Sequence, residues 1–377
     1  MPDPASIDSH LKALADLFIE RFGSITGDYR QPWLPTLPFC AQNAAGHLYS
    51  GVNDVNLSLV CALRGYSSPV WLTGAQCRDL GVYKRSGEIG TIVYWGGTSF
   101  YDNERGMQDS SMRWADYQRL SPFERERYSL QESYGKCAYV WNLEQTDFPE
   151  RHPDSWSNIL SAFSPERKAC DEKTLDAFLD KGAWYPDGTH RCPVIQTDTP
   201  AARYDRSVRF IEIPRKELFM DQRNFYSTLL HTLAHSAIIE QAVSTYKGDG
   251  DPIADIARLN LSSELAAAVM AGRLGFSQTL SKDNLRYLRD WTQVLSDNPS
   301  VIRQVTREAR YAVDLMTDRL GVVQENAPDV CSVLGAEIAQ AREARLRQGP
   351  ARKRSVYDSV NARTGKPRLT RRRGVRH

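Results

Sequence analysis

Apolar residues in the first quarter of the chain recur at helical spacing. Residues 7–22 carry apolar side chains at steps of three and four, which predicts an amphipathic helix. Two more helices are predicted over Asn53–Arg64 and Gly74–Leu80, because Gly65 and Gly81 follow them directly and glycine commonly ends helices. The chain therefore begins as a helical structure.

A different pattern follows between residues 91 and 143. Thr91–Trp95 and Cys137–Leu143 are rich in β-branched and aromatic residues, which predicts two strands. The segment 101–134 between them is polar and poor in aliphatic residues, so we expect an inserted loop with one short helix. This part of the chain is expected to complete a mixed α/β domain that ends near residue 148.

The second half of the chain is mostly helical in pattern. Helices are predicted over Lys173–Lys181, Phe225–Ser244, Leu261–Leu274, Lys282–Ser296 and Ser300–Leu320, with one extended segment at Val208–Ile213. The sequence predicts an α+β fold with an N-terminal mixed α/β domain at 1–148, a mainly helical domain at 149–325, and a linker with a disordered tail at 326–377.

Composition places the chain among ordinary globular proteins. Of its 377 residues, 41% are apolar and 25% are charged, and no apolar run reaches the ~18 residues that span a bilayer. The first residues lack the basic start of a signal peptide. The seven cysteines are an odd number without a Cys-x-x-Cys pair, which indicates neither a disulfide framework nor a four-cysteine zinc site. We therefore expect a cytoplasmic protein with no membrane partner.

The charge is distributed unevenly along the chain. Residues 342–377 contain eleven Arg and two Lys against Glu343 and Asp358, a net charge of +11. The whole chain carries +2, so the rest carries −9. Terminal blocks of like charge are commonly disordered. The tail is expected either to contact phosphates without sequence preference or to be a solvated extension.

Two histidines suggest a metal site. His231 and His235 are four residues apart in a predicted helix, which places both rings on one face. Glu264 lies on the next predicted helix and could supply a third ligand if the two helices pack in antiparallel orientation. The alternative is that both histidines are hydrogen-bonded core residues of a helical scaffold.

The surroundings of these histidines resemble a known family. The segments Tyr204–Pro214, Phe225–His235 and Ser263–Ala267 are similar to the zincin-like metallopeptidase domain of ArdC-type antirestriction proteins. The first half resembles that family's N-terminal single-stranded-DNA-binding domain in the segments Tyr49–Asn53, Arg64–Thr73, Gly87–Thr91 and Trp141–Gln145. The resemblance covers roughly residues 7–320. It implies a two-domain protein that binds single-stranded DNA and holds Zn²⁺ or another divalent metal.

The sequence departs from the family motif at the position of the catalytic base. The family has Glu directly after the first histidine, where this chain has Thr232. A hydroxyl cannot act as the carboxylate general base, a role that contributes ~10²–10⁴ to rate. Ala268 replaces an acidic residue and Ser236–Ala237 replaces a Trp-Thr pair that the family often carries. Glu240 lies five residues beyond His235 and is a poor substitute, so we expect a pseudoenzyme with no catalytic residue.

Single-strand binding needs cations for the phosphates and flat rings for the bases. The first half supplies both within about thirty residues, and with the resemblance this predicts a set of DNA contacts: Arg64, Trp71, Gln76, Lys84, Arg85 and Trp95. For Trp71 and Trp95 a core position is an equally open alternative. Ser86 and Ile89 stand where the family commonly has lysines, so a weaker surface is expected.

Together these features predict a single-stranded-DNA-binding antirestriction protein of a mobile element, with a host restriction protein or another host protein as a further partner. Two alternatives remain: an active zinc metallopeptidase with a non-standard base, and a protein-interaction module that needs neither DNA nor metal.

Overall fold

The computed structural model describes residues 4–25, 33–112, 116–117, 120, 122–125, 127–165, 170–181, 184–219, 221–245, 252–280, 285–322 and 328–347. The predicted tail beyond residue 347 lies outside these residues. No helix among the described residues is both long and apolar enough to cross a membrane.

The first half combines helices with a mixed five-stranded sheet. Its helices are α1 (Pro4–Gly23), α2 (Val52–Arg64), α3 (Gly74–Leu80), α4 (Pro122–Arg125), α5 (Phe148–Arg151) and α6 (Pro153–Ala162). Its strands are β1 (Gln42–Asn43), β2 (Val70–Thr73), β3 (Thr91–Asp102), β4 (Met107–Asp109) and β5 (Tyr128–Asn142), in the spatial order β1-β2-β5-β3-β4. The predicted helix ends are confirmed, because Gly65 and Gly81 adopt the left-handed conformation that caps a helix.

The second half is mainly helical and carries a small three-stranded sheet. Its helices are α7 (Glu172–Lys181), α8 (Gln222–Thr245), α9 (Pro252–Arg273), α10 (Leu288–Asp297), α11 (Val301–Leu320) and α12 (Pro328–Arg347). Its strands are β6 (Val194–Thr197), β7 (Arg203–Asp205) and β8 (Phe210–Pro214), in the order β6-β8-β7. The predicted α+β fold, with a mixed N-terminal domain and a helical second domain, is confirmed.

Two predicted segments differ from the structure. The strands β3 and β5 form an antiparallel hairpin, paired from Thr91↔Val140 to Asp102↔Tyr128, so the two ends of the segment expected to be a loop are strands instead. The expected short helix within this segment is α4. Helix α12 begins at Pro328, within the expected linker, and buries Cys331, Leu334 and Ile338 in a cluster with α3 and α6.

The main core joins the two halves of the chain. It contains residues of α1 and α2 together with α8, α9, α10 and α11. Asp54 on α2 forms a buried ion pair with Arg273 on α9. Thr36 donates a hydrogen bond of 2.7 Å to the carbonyl oxygen of Ala268. The two halves are therefore packed against each other around α9.

Candidate metal centre and nucleic-acid interface

Helices α8 and α9 position the predicted metal ligands. The short connection between residues 245 and 252 makes neighbouring helices antiparallel. Small residues such as Ala266 and Ala267, both fully buried, allow the helices to approach closely. His231 on α8 thereby faces Glu264 on α9.

His231 and Glu264 are in direct proximity. The Nδ1 atom of His231 lies 3.0 Å from Oε1 of Glu264, whose side chain is 1% exposed. Gln278 fixes the other carboxylate oxygen, since its Nε2 atom donates to Oε2 at 2.6 Å. Despite the short distance, the buried Nδ1 atom has no hydrogen bond of acceptable angle within the described part of the chain. A buried ring nitrogen left in this way is suited to a metal ion.

His235 lies beside His231 on the same helix face, with ring centroids 5.8 Å apart and planes at 20°. Burial, with a smaller contribution from the charge of His231, lowers the pKa of His235 to about 3. Its ring is therefore neutral, which is the form that binds metals. The described side chains contain no group of three His, Cys, Asp or Glu arranged around one point. The donor types of His231, His235 and Glu264 fit a divalent metal, although the three side chains are not arranged around one point in this structure.

The general-base position is occupied by a hydroxyl with another partner. Thr232 is buried, and its Oγ1 atom donates to the carbonyl oxygen of Thr228 at 2.8 Å. Ser236 is likewise committed, since it accepts a hydrogen bond from the Trp184 indole at 2.8 Å. Glu240 accepts hydrogen bonds from Tyr204 and Arg206. No carboxylate among these residues can take the place of the missing base.

Two residues of this site escaped the sequence analysis. Gln278 lies in the segment that follows α9, and nothing in the sequence indicates that its side chain contacts Glu264. Asn260 is buried one helical turn before Glu264, at the level of His235 in an antiparallel pair, and its Oδ1 atom has no partner among the described residues. A buried Asn within a predicted helix is the signal that could have revealed it.

Of the two alternatives for Trp71, the structure favours the core position over the DNA contact. This side chain is fully buried in the main core, because β2 is covered on both faces, so its ring cannot stack on a base. Gln76 is occupied in a capping box, where its Oε1 atom accepts from the backbone of Thr73 at 2.8 Å. The side chain of Trp95 lies outside the described residues.

The predicted cationic residues all lie at the surface, but their side chains make different contacts. Arg64 at the end of α2 is exposed. Arg85 is exposed but paired with Glu150, at 2.7 and 2.9 Å from its two carboxylate oxygens. Lys84 places its Nζ atom 4.4 Å from the centroid of the Trp141 ring, a cation–π geometry.

Trp141 and Tyr83 are aromatic residues that the predicted contact set lacks. Trp141 is half-buried on β5, and a Cβ atom at Gly90 would lie 2.7 Å from its ring, so glycine is needed there. Tyr83 is 67% exposed. The strand alternation places Cys137, Tyr139 and Trp141 on one face of β5. The Trp141 ring therefore meets Lys84, and the centroid of the Tyr83 ring lies 5.0 Å from the guanidinium carbon of Arg151.

Comparisons with known proteins agree with this architecture. Residues 8–129 match the N-terminal domain of anti-restriction factor ArdC, and residues 190–308 match a zincin-like metallopeptidase family. The chain is 24% identical over 316 residues to DNA primase TraC of Escherichia coli, covering 80% of this chain but only 19% of that protein.

Crystal structures of the antirestriction ArdC protein from the R388 plasmid share the fold at 23% identity. The metal-free form has a TM-score of 0.51 and covers 84% of this chain and 99% of its own. The Mn(II)-bound form has a TM-score of 0.50, with 83% and 99% covered. Because both domains match in the same order along one chain, this protein belongs to the ArdC-type antirestriction family.

Proposed function

We propose that this chain is a single-stranded-DNA-binding antirestriction protein of a mobile element, acting on behalf of incoming DNA against a host restriction protein. The exposed residues Tyr83 and Lys84, with the half-buried Trp141 ring beside Lys84, carry the DNA part of this proposal. Flat rings beside cations bind single strands without sequence preference. The names of two relatives, an anti-restriction factor and a DNA primase, support a role on DNA.

Titration of a labelled oligo-dT at several salt concentrations tests the DNA surface. Tyr83→Ala should cost ~1–3 kcal/mol of binding free energy if a base stacks on the ring. Lys84→Ala should lower the slope of log affinity against log salt by ~0.7 for one lost phosphate contact. Lys173→Ala on α7, also exposed, is the matched control and should change neither quantity. Full affinity in both surface variants would contradict the proposal.

The basic tail provides a second contact in this proposal. Helix α12 packs on α3 and α6, so the chain leaves Arg347 from the N-terminal domain. Deleting residues 348–377 removes eight Arg and two Lys but keeps α12 intact. The truncated protein should bind with a flatter salt dependence and retain affinity at low salt. Complete loss of low-salt affinity would mean that the tail alone binds DNA.

The zincin-like domain is proposed to hold Zn²⁺ or another divalent cation on His231, His235 and Glu264. Neutral imidazoles and a fixed carboxylate are the donors of known two-His, one-Glu sites. When bound, the ion would supply Lewis-acid chemistry to a water or carbonyl group. Gln278 would orient Glu264, whereas the Thr232 hydroxyl, which donates to the backbone of its own helix, is too weakly basic to take a proton from water. The domain would therefore bind metal without cleaving peptides.

Metal analysis of the purified protein tests this second part. His231→Ala and His235→Ala should each abolish Zn²⁺ uptake, whereas His190→Ala, an exposed histidine beside Asp187, should leave it unchanged. An unfolded protein substrate should stay intact in the presence of the native chain. Metal-dependent cleavage that disappears in His231→Ala would favour the alternative of an active metallopeptidase.

A further inference from the structure

A cavity of about 260 Å³ lies where α1, α2 and α11 meet the sheet. Apolar residues form much of its wall, among them Leu11, Leu14 and Ile302. The polar part of the wall includes Tyr94 on β3 and Cys137 on β5. The cavity therefore has an apolar body with polar groups on the sheet side.

A second cleft of about 460 Å³ adjoins this cavity. The two share Leu11, Arg303 and Arg307 as lining residues, so the arginines stand between them. Together the spaces fall within the ~300–1,000 Å³ of typical small-molecule sites. The site is thus large enough for a ligand with two chemically different parts.

The two arginines are exposed and lack ion-pair partners among the described residues. Arg303 and Arg307 lie four residues apart on α11, so both guanidinium groups point from one helix face. The next arginines on this helix, in contrast, form ion pairs: Arg310 with Asp314 and Arg319 with Asp318. Two neighbouring unpaired guanidinium groups form a fork suited to a phosphate.

The acidic residues of the second cleft offset the positive charge of these arginines only weakly. Glu308 is neutralised by a buried ion pair with Arg258 and also accepts hydrogen bonds from Ser262 and Gln304. Asp8 is exposed at the rim of the second cleft and does not line the first cavity. The first cavity is therefore bordered by positive charge alone, with His10 held neutral by burial, which lowers its pKa to about 4.

Tyr94 connects this site to the proposed DNA surface. Burial raises the pKa of Tyr94, and the nearby charge of Arg303 lowers it in part. Tyr94 on β3 pairs with Cys137 on β5. Its side chain therefore lies on the same face of the sheet as those of Cys137, Tyr139 and Trp141. The Tyr139 and Trp141 rings are 6.2 Å apart. A line of aromatic residues thus leads from Lys84 and Trp141 towards the cavity.

We propose that this two-part cavity is a nucleotide site, in which Arg303 and Arg307 bind the phosphate while the base lies against Tyr94 and the apolar wall. The ligand is a nucleoside monophosphate, either free or as the terminal nucleotide of a bound single strand. The inference rests on the proposed function only in its choice of ligand. It assigns a binding role to α11, which belongs to the zincin-like half of the chain.

Calorimetric titration of the full-length protein tests the site with four probes: dAMP, deoxyadenosine, a dT₁₅ strand, and the same strand with a terminal phosphate. The double variant Arg303→Ala/Arg307→Ala should lose about tenfold or more in affinity for the phosphate-bearing probe. Arg310→Ala/Arg319→Ala removes the same charge from the same helix and should stay within about twofold of the native protein. Arg303→Lys/Arg307→Lys keeps the charge without the fork and should recover part of the loss.

The probes separate the two sources of the ligand. Loss of dAMP binding in the double variant identifies a free nucleotide site, and deoxyadenosine should then bind more weakly than dAMP. If the double variant binds dAMP as tightly as the native protein but no longer binds the phosphorylated strand more tightly than the unphosphorylated one, the site binds a strand end. Equal affinities of native protein and double variant for every probe overturn the proposal. Failure of the Tyr83 and Lys84 variants to affect dT₁₅ would instead contradict the DNA surface and leave this site intact.

Discussion

Substitution of Thr232 by glutamate tests the proposal that this chain cannot cleave peptides because it has no carboxylate base. Thr232 is 4% exposed, and its hydroxyl donates to the Thr228 carbonyl, so the side chain lies inside the protein. A carboxylate at this position would stand one residue after His231. From there it could accept a proton from a metal-bound water, as the family motif requires.

The structure allows both stability and rate to be estimated for this variant. A carboxylate buried without a partner should lower the free energy of unfolding of the metal-free protein by ~2–4 kcal/mol. Zinc should offset part of this loss, because a nearby cation stabilises the ionised form. The restored base contributes ~10²–10⁴ to rate, but missing supporting contacts reduce activity by ~10–100-fold. We therefore expect weak, zinc-dependent hydrolysis.

Cleavage of an unfolded protein substrate and urea unfolding, each with and without zinc, measure these effects. Thr232→Gln is the matched control, since it has the same shape but cannot act as a base. It should cleave nothing and gain no extra stability from zinc beyond that of the native chain. Equal zinc-dependent cleavage by the native protein and by Thr232→Glu would refute the reasoning, because Thr232 would then not limit catalysis.

Two further predictions concern buried aromatic groups of the N-terminal half. His10 has its pKa lowered from 6.5 to about 4 by burial, so the unfolded chain binds a proton that the folded chain excludes as the pH falls below about 6.5. Between pH 7.5 and 5.0 the native protein should lose about 2 kcal/mol more unfolding free energy than His10→Gln in urea titrations; equal losses would contradict the burial of a neutral ring. Trp71→Ala should lower the free energy of unfolding by ~3–5 kcal/mol by leaving a cavity, while Trp71→Phe costs less. Below its melting temperature Trp71→Ala should bind oligo-dT as tightly as the native protein, and a lower affinity of the folded variant would restore Trp71 as a contact.

Local signals allowed the helices to be predicted, whereas the edges of the sheet depended on tertiary structure. Gly65 and Gly81 mark helix ends because glycine adopts the left-handed conformation readily, and the structure confirms both. The sequence predicts the paired base of the hairpin but not its extension beyond Trp95 and before Cys137, since each strand is stabilised there mainly by pairing with the other. Helix α12 lies where a linker was expected, because its buried residues are stabilised by packing on the distant helices α3 and α6.

The candidate site was predictable only where spacing along a helix determines position. The pair His231 and His235 lies on one face of α8, as predicted, because residues four apart in a helix are neighbours. Trp71 and Trp141 were not distinguishable in this way. The strand β2 is buried on both faces and gives no alternating pattern, so only the three-dimensional packing shows that Trp71 belongs to the core.

Helix α9 explains why a base at position 232 would not be sufficient for full peptidase activity. Ala268, which stands where the family often has an acidic residue, is fully buried, and its carbonyl oxygen accepts the hydrogen bond from Thr36. A Cβ atom at Gly272 would lie 2.1 Å from Oγ1 of Thr36, so the N-terminal half approaches α9 closely along this side. A carboxylate at position 268 would have to be buried in that tight contact. The packing that joins the two halves of this chain therefore opposes the return of the supporting acid, whereas the ligand candidate Glu264, held by Gln278, is compatible with it.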